Sequence, residues 1–171
     1  MRKLISKIAG LMLGLSLAAG VGISAVTKNH VKANAASPAT LTFSAACGGS
    51  GTDSDGNTWT ITSDAAESTY DATKGIHYGT GKKAVSYVNL STSGISGTIT
   101  NISVNASGAS GTSAKLDVTV GGAAFDSQQS LTATATSYDL TGSASGEIVV
   151  ALTQSSATKA LYCKSITVRW R

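Results

Sequence analysis

Proline occurs once, at Pro38, and glutamate twice, at Glu67 and Glu147, in a chain of 171 residues. Charged residues make up only 13% and aromatic residues 5%. Few strong helix formers, set against abundant Thr and Val, argue against a helical bundle and for β structure. No stretch carries a long amphipathic helix, a heptad or an internal repeat, which excludes coiled coils and solenoids. The G-x-S-x-G elbow of a nucleophilic serine is also missing, and His77 is the only histidine beyond His30. Nothing in the sequence orients His77 within a triad, and the acidic residues Asp64, Glu67 and Asp71 share a loop without a set separation.

The first residues read as an address. Arg2, Lys3 and Lys7 precede an apolar stretch over 8–26, and Ala33-Asn34-Ala35 offers the small-x-small pattern of a signal peptidase site. A secretory signal peptide over 1–35 is therefore expected, leaving one domain at 36–171. The leader holds five of the thirteen Lys and Arg residues and none of the nine acidic ones, so residues 36–171 carry a net charge of −1. Without clustered cations the chain lacks what sequence-independent binding to nucleic acid needs, and neither nucleic acid nor a membrane is an expected partner after cleavage. Export would place the domain outside the cell, free or loosely held at the cell surface.

Two cysteines remain, Cys47 and Cys163, and an exported chain meets conditions that let them pair. A disulfide stapling the two ends of the domain is expected. Ser44-Ala45-Ala46-Cys47 offers a lipoprotein box as the alternative, but it lacks the usual leucine and lies far beyond the apolar stretch.

Beyond the leader, short alternating runs follow one another at roughly ten-residue spacing, separated by Gly and Ser turns. Leu41 and Phe43, Trp59 and Ile61, Ile148 and Val150, and Ile166 and Val168 each mark an apolar strand face. Around Gly108 and Gly111, Ile102, Val104 and Ala106 on one side and Leu116, Val118 and Val120 on the other predict a hairpin of two neighbours in one sheet. Residues 63–83 show no periodicity and read as a loop. In 131–140, Thr132, Thr134, Thr136, Tyr138 and Leu140 share a parity, so a Thr-rich exposed face requires a bulge that moves Tyr138 and Leu140 inward. The sum is an all-β antiparallel sandwich, a jelly roll of about eight or nine strands.

The last strand raises a conflict. If straight, it would set Cys163 opposite Ile166 and Val168, whereas a bulge near Lys164-Ser165 would bring it inward.

The runs Tyr138-Asp139-Leu140-Thr141-Gly142, Gly146-Glu147-Ile148-Val149-Val150 and Lys159-Ala160-Leu161-Tyr162-Cys163-Lys164-Ser165-Ile166-Thr167-Val168 resemble the closing strands of galactose-binding-like jelly rolls. Such modules occur as carbohydrate-binding or accessory domains of secreted bacterial proteins. The resemblance implies that the first and last strands lie side by side, which would suit the Cys47 to Cys163 bridge, and it implies no particular binding residue.

Two stretches are candidates for chemistry. Asp53, Asp55 and Asn57 have the one-three-five spacing of a calcium loop with Asp64 at the twelfth place, but Thr58 stands where that loop needs glycine. A turn is the simpler reading; a structural Ca2+ is the alternative, and no other cofactor is expected. Segment 70–83 gathers Tyr70, Asp71, Lys74, His77, Tyr78 and Lys82, where aromatic rings could meet sugar faces and polar groups their hydroxyls. The expected function is that of a secreted, non-catalytic β-sandwich binding a glycan or cell-envelope component. The alternative is a structural or protein-interaction module, an adhesin or assembly subunit, and a small secreted hydrolase or toxin ranks last.

Overall fold

The computed structural model of the chain describes residues 38–65, 67–83, 85–111, 113–155 and 159–171. The expected leader and its cleavage after Ala35 lie outside them.

Thirteen strands run in chain order: β1 Ala39–Thr42, β2 Ser50–Thr52, β3 Thr58–Ser63, β4 Ser68–Asp71, β5 Gly75–Tyr78, β6 Tyr87–Thr92, β7 Ile99–Gly108, β8 Lys115–Val120, β9 Ala123–Ala124, β10 Gln129–Ser130, β11 Thr136–Ala144, β12 Ile148–Thr153 and β13 Leu161–Trp170. They form two antiparallel sheets. One has the order β11-β7-β13-β5-β4, with β1 alongside β13; the other has the order β10-β8-β12-β6-β3-β2, with β9 alongside β8. The all-β sandwich is therefore as the sequence predicts, with more strands than expected because several are edge pieces of two to four residues.

The alternation of apolar residues explains the layers. In β8 and β12 every second side chain is buried, and those side chains meet the inner residues of β7 and β13 in one core. Trp59, Leu90, Ile102, Val104, Leu116, Val150, Leu152, Ile166 and Val168 are all closed to solvent. Each such side chain contributes about 1.5 to 3 kcal/mol relative to exposure. The outer faces carry Ser, Thr and Asn.

The first and last strands do lie side by side, Leu41 opposite Ile166. The bulge that the last strand requires is also there, as a register shift between Cys163 and Ser165. It turns Cys163 inward beside Ile166 and Val168, fully buried.

Four expectations are corrected. The predicted hairpin is not one: β7 pairs with β11 and β13, whereas β8 lies in the other sheet against β12, β9 and β10. Both strands present apolar faces to the same core, so alternation alone does not tell a hairpin from a crossover between layers. Residues 63–83 are not a loop but contain the antiparallel pair β4 and β5. In β11 Tyr138 and Leu140 face inward with no bulge before them; the irregularity comes later, between Thr141 and Ala144.

The fourth correction is the disulfide, since both thiols are free. The sulfur of Cys47 is hydrogen-bonded to Tyr78 instead. Burial raises the Cys47 pKa, and burial followed by the charge of Cys47 pushes that of Cys163 up to about 12. Alkylation of the native protein at neutral pH should therefore leave Cys163 unmodified. Unfolding without reductant should expose two reactive thiols by mass; a species lighter by two hydrogens that resists alkylation would restore the bridge.

Candidate functional site

The turn from β4 to β5 sets the site. Asp71 Oδ1 accepts from the amides of Thr73 and Lys74, at 2.8 and 2.9 Å, closing the turn. At Gly75, φ is +89° and a Cβ would stand 2.1 Å from the carbonyl oxygen of Cys163. Only glycine lets the turn press so closely on β13. Its consequence is the position of Lys74, whose Nζ lies 4.6 Å from the centroid of the Tyr162 ring.

Across the outer face of the sheet, Thr69, His77, Tyr162 and Ser107 occupy one row of four neighbouring strands. His77 meets Tyr162 edge to face, with centroids 5.0 Å apart and planes at 78°. Its Nε2 is hydrogen-bonded to the hydroxyl of Thr69. Its Nδ1 is buried and has no partner among the described residues, and the same holds for Ser107 Oγ at the far end of the row, for Asn105 Oδ1 on β7 and, elsewhere, for Gln154 Oε1. Such groups are costly to leave unpaired, and the first three share one sheet face.

Two clefts flank His77. One, of about 440 Å³, is lined by His77, Gly79, Thr80, Gly81, Ala109, Lys159, Ala160 and Tyr162. Its ring and small residues supply apolar wall, while His77, Thr80 and Lys159 supply polar groups. The other, of about 550 Å³, lies towards Asp64, Glu67, Lys82 and Lys83. Both volumes fall in the range of small-ligand sites. Lys159 Nζ donates to the carbonyl of Ser110 at 2.8 Å. Thr80 Oγ1 accepts from the amides of Lys82 and Lys83, fixing the turn from which those side chains extend.

The electrostatics follow from burial. The His77 pKa is lowered, first by burial; Asp71 opposes this and Lys74 adds to it. That of Tyr162 is raised by burial and then by Asp71. Asp71 itself is lowered by the Lys74 and Thr73 amides. For Asp64, burial acts upward but is outweighed by hydrogen bonds from Ser86 and Tyr87, so its pKa is lowered.

These shifts define a stability profile. A histidine whose folded pKa is lowered contributes stability that is full above its usual 6.5 and lost below it. The lowered carboxylates Asp64, Asp71 and Asp126 contribute above their usual 3.8 and lose this in more acid solution. The raised Cys163 contributes below its usual 9.0 and loses it as pH climbs towards 12. Tm measured against pH should therefore be highest between about 6.5 and 9 and fall on both sides; a maximum near pH 5 would contradict these shifts.

Of the residues singled out in the sequence, Lys74 and His77 come together around Tyr162, and Lys82 reaches the second cleft. Asp71 is spent on its turn, and Tyr70 is 38% exposed on the edge strand β4. Tyr78 does not offer a face to ligand: it is 6% exposed, packs inward and bonds Cys47. A third cavity, of about 490 Å³, opens beside it and Cys47. Tyr162, Lys159, Ser107 and Asn105 are missed by sequence reasoning. The bulge after Cys163 hid Tyr162, because parity counted back from Ile166 turns that ring inward.

The four residues of the calcium reading are not gathered into one ligand cluster. Asp53 is 6% exposed and its carboxylate receives the amides of Asp55 and Asn57, the Asn57 side chain and Trp59 Nε1. Asp64 lies beyond β3 and binds Ser86. Among the described residues no group of three His, Cys, Asp or Glu side chains could hold a metal ion.

No protein-family model matches the chain, and no curated protein matches it. Solved carbohydrate-binding modules are among the structures to which the chain is similar. A family 61 module in complex with β-1,4-galactotriose is similar at 12% identity and a TM-score of 0.49, over 66% of this chain and 88% of that one. A family 36 module in complex with calcium and xylotriose is similar at 21% identity and a TM-score of 0.40, over 63% and 92%. A family two carbohydrate esterase from Cellvibrio japonicus is similar at 16% identity and a TM-score of 0.45, over 79% of this chain and 35% of the esterase.

Proposed function

We propose that the chain is a secreted, non-catalytic module that binds a glycan of the surroundings or of a cell envelope, in the cleft beside Tyr162. The observation that carries this is the row His77, Tyr162 and Ser107. The Tyr162 ring and His77 line a 440 Å³ cleft on the outer face of the sheet, with Ser107 next to Tyr162 in the row. A saccharide fits that chemistry, because it presents apolar C–H faces to an aromatic wall and hydroxyls that both donate and accept. The resemblance of the closing strands to galactose-binding-like jelly rolls points the same way.

The non-catalytic part of the reading turns on His77. Its pairing with the Thr69 hydroxyl has the form of a nucleophile and base, but Nδ1 has no partner, so no third group orients the imidazole. The test is a glycan array probed with the full-length chain and its Tyr162→Ala variant. Saturable binding that the variant loses is expected; an array without any signal would overturn the proposal.

A further inference from the structure

A cation, and among the described residues no carboxylate, lines the cleft beside Tyr162. Lys159 lines it, and Lys74, outside the lining, lies over the ring of Tyr162, which is itself part of the cleft wall. Among the described residues neither is held in an ion pair: Lys159 donates to a carbonyl and Lys74 contacts the ring. No Asp or Glu lines this cleft. Asp71, which closes the turn before β5, has Oδ1 committed to two backbone amides of that turn. On the other side of His77 the balance differs, since the second cleft sets Asp64 and Glu67 against Lys82 and Lys83. The charge of Asp71 is felt at Lys74, but Lys159 has no such neighbour in the lining, so negative charge on a ligand would meet net positive charge in the cleft beside Tyr162.

We infer that the saccharide bound there is an anionic one, carrying a uronate carboxylate or a sulfate ester that meets Lys159 and Lys74. This rests on the proposed glycan site and adds its ligand class. The attraction is between partly exposed groups, so it discriminates by a modest factor. Each such contact changes affinity by about two- to fivefold, and the two together by about tenfold, less at high salt.

The test uses the full-length chain and a panel of matched oligosaccharides: oligouronates with their carboxyl-reduced neutral counterparts, and sulfated galactans with their desulfated counterparts. Titration calorimetry is performed at low and high salt, on the wild type and on the double variant Lys74→Gln, Lys159→Gln. The expected result is roughly tenfold tighter binding of one charged series than of its neutral counterpart, with the difference shrinking at high salt and vanishing in the double variant. Preference for the uronates or for the sulfated series identifies the source of the charge. Equal or tighter binding of the neutral oligosaccharides, still lost in Tyr162→Ala, would overturn the inference while the glycan site stands. No binding of any member would overturn both.

Discussion

Replacing Asp53 by alanine is expected to destabilise the fold by about 3 to 4 kcal/mol, through loss of a buried acceptor that serves several donors at once. Its Oδ1 holds the amides of Asp55 and Asn57 at 3.0 and 2.9 Å, and its Oδ2 holds Trp59 Nε1 and the Asn57 side chain, both at 3.1 Å. Trp59 is fully buried, so its N–H has no access to water once the carboxylate is gone. The turn between β2 and β3 also depends on the residue, because the Asp55 and Asn57 amides held by its carboxylate belong to that turn, although the backbone bonds between Gly56, Asp53 and Asn57 persist in the variant. For a domain of this size the loss corresponds to a drop in Tm of roughly 10 °C. Asp53→Asn keeps one acceptor but turns an amide group towards other donors, and should fall about midway. Urea unfolding of the three proteins decides the matter; a loss below about 1 kcal/mol for the alanine variant would mean that these donors find other partners.

Tyr162→Ala is expected to weaken saccharide binding about 30-fold or more, the size of effect given by truncating a central aromatic contact. The ring is at once a wall of the cleft, the edge partner of His77 and the surface on which Lys74 rests. Its removal takes away apolar contact area and also frees both neighbours. Since Tyr162 lies on the outer face of β13, away from the core that holds Leu161 and Cys163, stability should change by no more than about 1 kcal/mol. Tyr162→Phe retains the ring and should lose no more than about fivefold, the worth of one hydroxyl contact. Calorimetric titration of the three proteins with one oligosaccharide is the measurement, and an unchanged affinity for Tyr162→Ala would remove Tyr162 from the site.

The layers of this fold were legible because alternation is a direct record of which face is buried. Leu116, Val118 and Val120, or Ile148, Val150 and Leu152, leave no second reading. Alternation says nothing, however, about which strand is the neighbour. The stretch around Gly111 reads as a hairpin, yet the chain there passes from one sheet to the other, and both solutions bury the same side chains. Short edge strands such as β4 are illegible for another reason. They bury little, so Ser68–Asp71 shows no apolar face.

The site was legible only in its loop half. Lys74 and His77 stood out because segment 70–83 concentrates rare residues. The other half lies about eighty residues further on, and its Tyr162 is exposed to the site by one inserted residue in β13. A bulge reverses every side chain before it, and nothing in local composition announces one. Tyr78 shows the converse. It looked like a recognition residue beside His77, but strand alternation in β5 places neighbours on opposite faces, so only one of the two could reach the outside.

The most direct test of the central claim is an amide NMR titration of the isotope-labelled chain with the tightest-binding oligosaccharide. The glycan-site account predicts saturable shift changes confined to residues 74–81, 105–109 and 159–162, the segments that build the row and the cleft. Shift changes centred on the opposite sheet, or around Cys47 and Tyr78, or no saturable change with any oligosaccharide, would contradict it.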